Sequence, residues 1–228
     1  MHPVLILTYN NFELTTKAVQ SVYQQSIGRT TAYIVDNGST DGTAEWAKDV
    51  GILMHAEKHN IGVSAGWNLG LNTLFWKHMY DEVLVIGNDT FLPEYFYGTL
   101  YNHLDGFVTG ISVDEVKSLA APAKATFTEH PDFSAFLISR QMWEAIGPFN
   151  ERMPLYCQDC DMHVRAHKMG IKLMQSNTPF YHERSSTLRN ARPEEGAVLR
   201  AQAETDRRTF KSIWGCIPGD EDYKKLFQ

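Results

Sequence analysis

The first half of the chain alternates short apolar runs with longer stretches whose apolar residues recur at helical spacing. The apolar runs are residues 4–8, 32–36, 52–55 and 83–86, and the helical stretches are residues 14–25, 43–48 and 65–78. Strands that alternate with helices pair in parallel through right-handed crossovers. The first half therefore predicts a Rossmann-like layer in which each strand leads into a helix.

The second half is less regular and predicts a mixture of strands and helices. Residues 133–138 and 171–174 resemble strands, whereas residues 140–146, 158–169 and 194–214 resemble helices, the last of which ends at Gly215. Glycine supplies the left-handed conformation that ends many helices. No repeat, low-complexity segment or Pro/Ser-rich linker separates the halves. We therefore expect one domain over residues 1–228, with a sheet that both halves share.

Charge and hydropathy make several classes of partner less favoured. The formal net charge of −6 argues against a broad surface for nucleic acid or anionic membranes, which recruit clustered Lys and Arg. The apolar run that starts at Val4 is too short and lacks the basic flank of a signal peptide. No apolar stretch approaches the roughly 18 residues that span a bilayer. The sequence therefore favours a cytoplasmic protein without a transmembrane segment.

The cysteines leave two interpretations open. Cys157, Cys160, His163 and His167 stand close together, as ligands of a zinc ion do, but the loop of about a dozen residues that separates ligand pairs in zinc modules is missing. The alternative, which the spacing favours, is a set of small apolar residues and surface histidines around the start of a helix. The odd total of three cysteines, with Cys216, does not suggest a disulfide framework.

Polar clusters follow three of the predicted parallel strands. They are Thr8-Tyr9-Asn10, Asp36-Asn37-Gly38-Ser39 and Asn88-Asp89-Thr90. Each cluster alone is more often a turn or a helix cap than a site. However, ligands of open α/β sheets bind outside the carboxyl ends of the strands, and all three clusters lie at that edge. Their convergence predicts a binding site there.

A series of motifs resembles one known family. In chain order they are TYNN (8–11), IVDNGSTDGT (34–43), NIGVSAGWNLG (60–70), VLVIGNDT (83–90), FLISRQMWEAIGPFNE (136–151), QDCDMHVRAHKMG (158–170), a lone His182 and KSIWG (211–215). Each motif is weak alone, but their order and spacing resemble the inverting glycosyltransferases of family 2. The resemblance implies a GT-A-type α/β fold with a Rossmann-like mixed sheet flanked by helices. It also implies that residues 1–110 bind the nucleotide-sugar donor, whereas residues 111–228 bind the acceptor and carry catalysis.

The resemblance assigns the donor site to residues at the strand ends. Thr8, Asn10 and Asp36 would form a polar slot for the base, where Asp36 accepts a hydrogen bond from a uracil or thymine N–H. Asn60, Asn68, Asn88 and Asp89 would contact the rest of the donor, so a UDP- or dTDP-sugar is favoured.

Two neighbouring features have structural alternatives. Asp41 either contributes to the donor site or caps the helix that begins near Thr43. Gly62, Gly66 and Gly70 share a helix face, which favours close packing on the sheet, whereas free N–H groups at residues 60–64 favour a bound diphosphate.

A divalent metal is the implied cofactor. Members of the family hold the ion with a DxD-type motif, for which this chain has Gly87-Asn88-Asp89, so the first acid is missing. Asp89 remains as a carboxylate ligand, and His182 resembles the late histidine ligand of the family. Imidazole beside carboxylate and phosphate oxygens favours manganese (Mn²⁺) over magnesium (Mg²⁺).

The acidic motif at residues 158–161 implies the catalytic base. Asp159 matches the base that removes the acceptor proton, and we expect the dipole of the following helix to favour its charged form. Gln158 replaces the usual glutamate of the motif. Asp161 and Arg165 stand four residues apart on the helix, which predicts a structural ion pair.

Several alternatives stay open at this point. Residues 184–211 carry seven Lys/Arg and four acids, which predicts either a solvated helix face or a basic flap at residues 184–192 over the donor phosphates.

The missing DxD acid and Gln158 allow a catalytically inactive nucleotide-sugar-binding module. A sugar nucleotidyltransferase is less favoured, because no glycine-rich basic loop follows the first strand. A glycan or lipid-linked oligosaccharide is the favoured acceptor, with protein or modified nucleic acid as alternatives.

Overall fold

The fold is built around one nine-stranded mixed sheet. The computed structural model describes residues 1–102, 106–113, 125–127, 131–183 and 193–228. The strands are β1 (His2–Thr8), β2 (Thr30–Asp36), β3 (Leu53–Ala56), β4 (Glu82–Gly87), β5 (Thr90–Phe91), β6 (Phe107–Val113), β7 (Ala125–Phe127), β8 (Ala135–Ser139) and β9 (Met174–His182). They follow the order β3-β2-β1-β4-β8-β6-β9-β5, and β7 pairs with β9.

Helices cover both faces of this sheet. They are α1 (Phe12–Tyr23), α2 (Thr43–Asp49), α3 (Val63–Asn72), α4 (Phe96–Asn102), α5 (Arg140–Ile146), α6 (Gln158–Lys168), α7 (Pro193–Trp214) and α8 (Glu221–Lys224). A π-helical turn at Thr73–Lys77 continues α3.

Strands β3, β2, β1 and β4 are parallel, as the alternating pattern predicts. Successive residues of β1 face opposite layers: Leu5 packs with α3, whereas Val4 and Ile6 pack with α1. Both faces of the strand are therefore buried, which explains why its sequence is a continuous apolar run instead of an alternating one.

The second half extends the same sheet. Strand β8 pairs antiparallel to β4, β6 pairs antiparallel to β8, and β9 pairs parallel to β6. The prediction of one α/β sheet shared by both halves is therefore confirmed. Helix α7 and the left-handed Gly215 after it also agree with the sequence, since the φ angle of Gly215 is 82°.

The predicted strand at residues 171–174 is wrong. The strand begins only at Met174, where this segment ends, and continues to His182. Leu173 is buried in the core, and Ile171 packs against the same cluster. These apolar residues pack in the core after α6 without pairing with a strand. A short apolar run in the sequence cannot distinguish a buried strand from such a buried irregular segment.

The glycines of α3 allow it to lie directly on β1. A Cβ atom at Gly66 would lie 2.4 Å from a side-chain carbon of Leu7, and one at Gly70 would lie 2.4 Å from a side-chain carbon of Leu5. The interpretation of this glycine face as a packing surface is confirmed.

The cysteines belong to a small apolar cluster beneath α7. Cys216 is buried there with Phe210 and Tyr223, and Cys157 and Cys160 pack against it. Within the described ranges, no group of three or more His, Cys, Asp or Glu side chains is arranged to hold a metal ion.

Two further expectations concern membrane-spanning helices and the basic flap. Among the helices in the described part of the chain, none combines the length and apolar character that crossing a membrane requires. The basic flap predicted at residues 184–192 lies outside the described residues.

Candidate active site

Asn88 joins the ends of β1 and β4. Its side-chain amide donates to Thr8 Oγ1 at 3.0 Å, to the carbonyl of Asn10 at 2.9 Å and to Thr15 Oγ1 at 3.0 Å. Thr8 and Asn88 are both buried. The structure thus brings the predicted residues Thr8, Asn10 and Asn88 together, and it shows that they bond mainly to one another.

Asn10 connects the ends of β1 and β2. Its backbone N–H donates to Ser39 Oγ at 2.7 Å, and its side-chain oxygen accepts from the backbone N–H of Thr40 at 2.8 Å. Asn10 and Asn11 have φ angles of 55° and 61°, a left-handed conformation that asparagine tolerates better than most residues. The two consecutive asparagines therefore turn the chain sharply out of β1.

Asp36 is buried at the end of β2. Its carboxylate accepts from the backbone N–H of Ser39 at 3.2 Å and from the Ser39 hydroxyl. Burial raises the pKa of Asp36, although the hydrogen bonds from Ser39 oppose the shift. Asp41 caps the starts of two helices, because its carboxylate accepts from the backbone N–H of Thr43 at 3.2 Å and from the backbone N–H of Phe12 at 2.8 Å. The capping role of Asp41 is confirmed.

A cavity of about 520 Å³, the α7 cavity, lies between the end of β1 and helix α7. It is lined by Tyr9, Asn10, Asn11, Asn60, Ile61, Gly62, Pro154, Leu155, Glu194, Glu195, Val198, Leu199 and Gln202. Two predicted donor-binding residues, Asn10 and Asn60, therefore face one space. Thr8 and Asp36 do not line it.

The first N–H groups of α3 already have partners. The N–H of Gly62 donates to Asn60 Oδ1 at 2.8 Å, and the N–H groups of Val63 and Ser64 donate to the carbonyl of Pro154 at 2.6 and 3.2 Å. These contacts correct the hypothesis that this helix start binds a diphosphate. The capping carbonyl lies about ninety residues away in sequence, so no local sequence pattern predicts the contact.

Asn68 holds a distant loop. Its amide group donates to the carbonyl of Phe149 at 3.0 Å and to Glu151 Oε1 at 2.8 Å, and its oxygen accepts from the N–H of Phe149 at 2.8 Å. The polar groups of this buried side chain are thus used within the protein. Asn68 therefore holds the loop at Phe149 in this structure, and its donor contact stays a prediction.

A second cavity of about 520 Å³, the acidic cleft, contains the residues predicted to carry the chemistry. Its lining includes Asp89, Asp132, Gln158, Asp159 and His182. The remaining residues that line it are Val63, Trp67, Gly87, Pro131, Phe133, Ser134, Leu155 and Tyr156. The structure therefore places the predicted base and the predicted metal ligands in one cleft.

Strand pairing positions Asp89 beside His182. Thr90 of β5 pairs with His182 of β9, which leaves Asp89 Oδ1 3.5 Å from His182 Nε2. The hydroxyl of Ser134 hydrogen-bonds to His182 Nδ1 at 3.0 Å and orients the ring. One carboxylate and one oriented imidazole that border a cleft fit a divalent ion that takes further ligands from phosphate and water.

Asp159 lies in the first turn of α6 and lines the same cleft. Its Oδ1 accepts from the N–H of Cys160 at 2.8 Å. Burial nevertheless raises the pKa of Asp159 from its ordinary value. This corrects the expectation that the helix dipole dominates, because loss of hydration outweighs the N–H donor. A raised pKa suits a general base, whose strength increases with its pKa.

Asp161 and Arg165 form the predicted ion pair. Arg165 Nε lies 2.8 Å from Asp161 Oδ2, and the guanidinium also donates to the carbonyls of Ile146 and Pro148. Trp214 Nε1 donates to the other oxygen of Asp161 at 3.0 Å. This network ties α6 to α5 and α7, so its role is structural.

Asp206 is a site-positioning residue that the sequence does not reveal. It is fully buried on α7, and its Oδ2 accepts from the N–H groups of Leu155 and Tyr156 at 3.0 and 2.8 Å. Leu155 lines both cavities. In sequence, Asp206 stands among charged residues of an amphipathic helix and resembles a surface acid.

We predict that Asp206→Ala destabilises the protein by about 3 kcal/mol, because two buried N–H groups lose a charged acceptor. For a chain of this size that corresponds to a melting temperature lower by about 6–12 °C in calorimetry. Glu204→Ala is the matched control on the same helix, since Glu204 pairs with Arg208 at the exposed surface. An equal loss in both variants would contradict the role of Asp206.

Comparisons with known proteins agree with this architecture. The model of the family "Glycosyl transferase family 2" matches residues 4–118, and the chain belongs to this family. Glycosyltransferase GlyA from Streptococcus pneumoniae serotype 4 is 26% identical over 114 residues, which are 48% of this chain and 16% of that protein. The chain thus matches only a small part of this relative's length.

Solved structures share the fold at low sequence identity. The mannosyltransferase PcManGT from Pyrobaculum calidifontis, solved with GDP-Man and Mn²⁺, has a TM-score of 0.58 and 18% identity over 99% of this chain and 82% of that chain. GalNAc-T7, solved with UDP, GalNAc and Mn²⁺, has a TM-score of 0.67 and 10% identity over 80% of this chain and 43% of that one. TarS from S. aureus has a TM-score of 0.59 and 15% identity over 100% of this chain and 47% of that one.

Proposed function

We propose that this chain is an inverting glycosyltransferase that moves a sugar from a nucleoside diphosphate sugar to a hydroxyl group, with a divalent metal as cofactor. The observation that carries the proposal is the acidic cleft, where Asp89, His182 and Asp159 line one cavity. Membership of glycosyltransferase family 2 supports the reaction class.

Asp159 is the proposed general base of the reaction. Its carboxylate accepts the proton of the acceptor hydroxyl as the oxygen attacks the sugar. Its position in the cleft and its raised pKa support this role. One displacement from the face opposite the leaving nucleotide inverts the configuration of the transferred sugar.

Asp89 and His182 are the proposed metal ligands, with Mn²⁺ favoured over Mg²⁺. When bound, the metal would neutralise charge on the leaving diphosphate as a Lewis acid. Ser134 would keep the His182 ring in its orientation through the hydrogen bond at Nδ1. The structures of PcManGT and GalNAc-T7 are both complexes with Mn²⁺, which supports a divalent ion here.

The donor is proposed to be a UDP- or dTDP-sugar. Asn10 and Asn60 offer amide groups at the α7 cavity, while Thr8, Asp36 and Asn88 form the buried polar layer at the adjacent strand ends. The structures of GalNAc-T7 and TarS include complexes with UDP, and that of PcManGT is a complex with GDP-Man, so a GDP-sugar is the alternative to test.

The test is a screen of UDP-, dTDP- and GDP-sugars with Mn²⁺, Mg²⁺ or EDTA. A nucleotide sugar at 100 times its Kd should stabilise the fold by about 2.7 kcal/mol, and metal should increase release or transfer of the sugar. Binding without turnover for every donor and acceptor would favour the inactive module. A glycan or lipid-linked oligosaccharide is the first acceptor class to assay, followed by protein and modified nucleic acid.

Asp36→Asn provides a specific test of the base slot. If Asp36 accepts from the pyrimidine N–H, this change should weaken UDP or dTDP binding by up to about tenfold, because the amide oxygen that replaces the carboxylate is an uncharged and weaker acceptor. Calorimetry with inorganic diphosphate is the control, since that ligand lacks a base and should bind equally to both proteins. Unchanged UDP affinity would remove Asp36 from the slot.

A further inference from the structure

The residue that follows the proposed base forms two hydrogen bonds with it. The backbone N–H of Cys160 donates to Asp159 Oδ1 at 2.8 Å. The side chain of Cys160 is also hydrogen-bonded to the side chain of Asp159. A charged carboxylate can only accept hydrogen bonds, so the thiol is the donor of this second bond. Cys160 therefore contacts the group that is proposed to take the proton of the acceptor.

Tyr223 of α8 extends this chain of hydrogen bonds. Its phenol group is hydrogen-bonded to the side chain of Cys160. Because the thiol gives its proton to Asp159, its sulfur accepts from the phenol O–H. Burial raises the pKa of the Cys160 thiol and that of the Tyr223 phenol, so both groups keep their protons at neutral pH. The donors therefore run from Tyr223 through Cys160 to Asp159.

The ring of Tyr223 is held firmly by its neighbours. Only 1% of its surface is exposed, and it belongs to the apolar cluster beneath α7 together with Phe210 and Cys216. Its ring centroid lies 6.0 Å from that of Phe210 and 5.3 Å from that of Phe227. A buried hydroxyl costs free energy unless it is hydrogen-bonded. The packing thus fixes the position from which the phenol supports the thiol of Cys160.

We propose that Cys160 and Tyr223 are positioning residues for Asp159, which hold its carboxylate in one orientation at the acidic cleft. Asp159 lines the cleft, whereas Cys160 and Tyr223 pack in the apolar cluster beneath α7. A carboxylate with a fixed orientation meets the attacking hydroxyl in the productive geometry, which increases kcat more than it changes substrate affinity. This inference rests on the proposed function, in which Asp159 is the base.

Kinetics of donor hydrolysis test the positioning role, with UDP-glucose, dTDP-glucose and GDP-mannose as probes in the presence of Mn²⁺. Cys160→Ala should lower kcat by about three- to tenfold, the effect of one modest hydrogen bond, and leave the KM of the donor nearly unchanged. Cys160→Ser keeps a donor on the same Cβ atom and should restore most of kcat. Cys216→Ala is the matched control, because it removes a thiol from the same apolar cluster. It should keep the kcat of the wild type.

Infrared spectroscopy of the S–H stretching band tests the contacts without turnover. The chain has three cysteines, so the band of Cys160 is identified by its loss in Cys160→Ser. In Asp159→Asn the thiol faces an uncharged and weaker acceptor, and its band should move to higher wavenumber. Tyr223→Phe keeps the aromatic ring but removes the O–H donor. It should also shift the band, because hydrogen bonds in a chain polarise one another.

The two readouts separate a failure of this inference from a failure of the proposed function. Equal kcat values in Cys160→Ala and Cys216→Ala, or no recovery in Cys160→Ser, would overturn the positioning role. A Cys160 band at the same wavenumber in the wild type, Asp159→Asn and Tyr223→Phe would overturn the contacts themselves. If the wild type hydrolyses none of the donors while the band moves as expected, the proposed function fails and the contacts stand.

Discussion

Asp159→Asn is expected to lower turnover by about 10²–10⁴-fold, the usual contribution of a general base. The side chain lies in the acidic cleft and keeps its shape in the variant, but the amide cannot take a proton from the acceptor. Donor affinity should change little, because the proposed base would act on the acceptor and not on the nucleotide. Steady-state kinetics at saturating donor and acceptor measure the effect, and near-normal turnover would place the base elsewhere.

The raised pKa of Asp159 adds a pH dependence to this prediction. Turnover of the wild type requires the charged form, so the rate should fall as the pH drops through a pKa above the ordinary aspartate value near 4. The asparagine variant should lack this acidic limb. If the fall in rate at low pH persists unchanged in the asparagine variant, that fall must be assigned to another titrating group.

The same shift predicts a gain in stability. A carboxyl group whose pKa is higher in the folded than in the unfolded protein binds more protons when folded, so stability falls as the pH rises through the window between the two values. Asp159→Asn should therefore raise the melting temperature at neutral pH and have less effect below that window. Asp161→Asn is the matched control on α6, because it weakens the contacts with Arg165 and Trp214. It should stay active and melt earlier.

Asp89→Asn is expected to abolish metal-stimulated activity. Asp89 supplies the carboxylate of the proposed metal site, and the preceding Asn88 is already committed to Thr8 and Thr15. His182→Ala should reduce the stimulation and weaken the apparent affinity for Mn²⁺. Titration of Mn²⁺ against activity at fixed donor concentration measures both effects.

A structural control accompanies the metal variants. Ser134→Ala removes the hydrogen bond to His182 Nδ1 but no proposed ligand. Loss of such an orienting partner typically lowers metal affinity or activity by about 10–100-fold. We expect its maximal rate to recover at high Mn²⁺, unlike that of Asp89→Asn. Full wild-type activity in excess EDTA would contradict the metal site altogether.

Much of the fold follows from local patterns. The parallel half is predictable because strands such as β1 are buried on both faces, and continuous apolar runs are then unavoidable. The prediction that Asp89 and His182 act together depends on the resemblance to the family, since no sequence pattern marks a lone histidine as a metal ligand. Strand pairing between β5 and β9 brings the two residues together.

Several features of the site that the sequence does not reveal depend on partners from distant parts of the chain. The start of α3 looks open in sequence, but the carbonyl of Pro154 caps it. The side chain of Asn68 looks free in sequence, but it hydrogen-bonds to the backbone of Phe149. Asp206 looks like a surface acid for the same reason. Helix periodicity and turn chemistry are local, whereas the satisfaction of buried polar groups is decided by the whole fold.

The configuration of the transferred sugar tests the account most directly. Proton NMR of the product, after removal of the metal, compares the anomeric configuration with that of the donor. One displacement driven by Asp159 in the acidic cleft predicts the opposite configuration. Retention of the donor configuration would contradict the account, because it requires a mechanism other than one base-assisted attack by the acceptor.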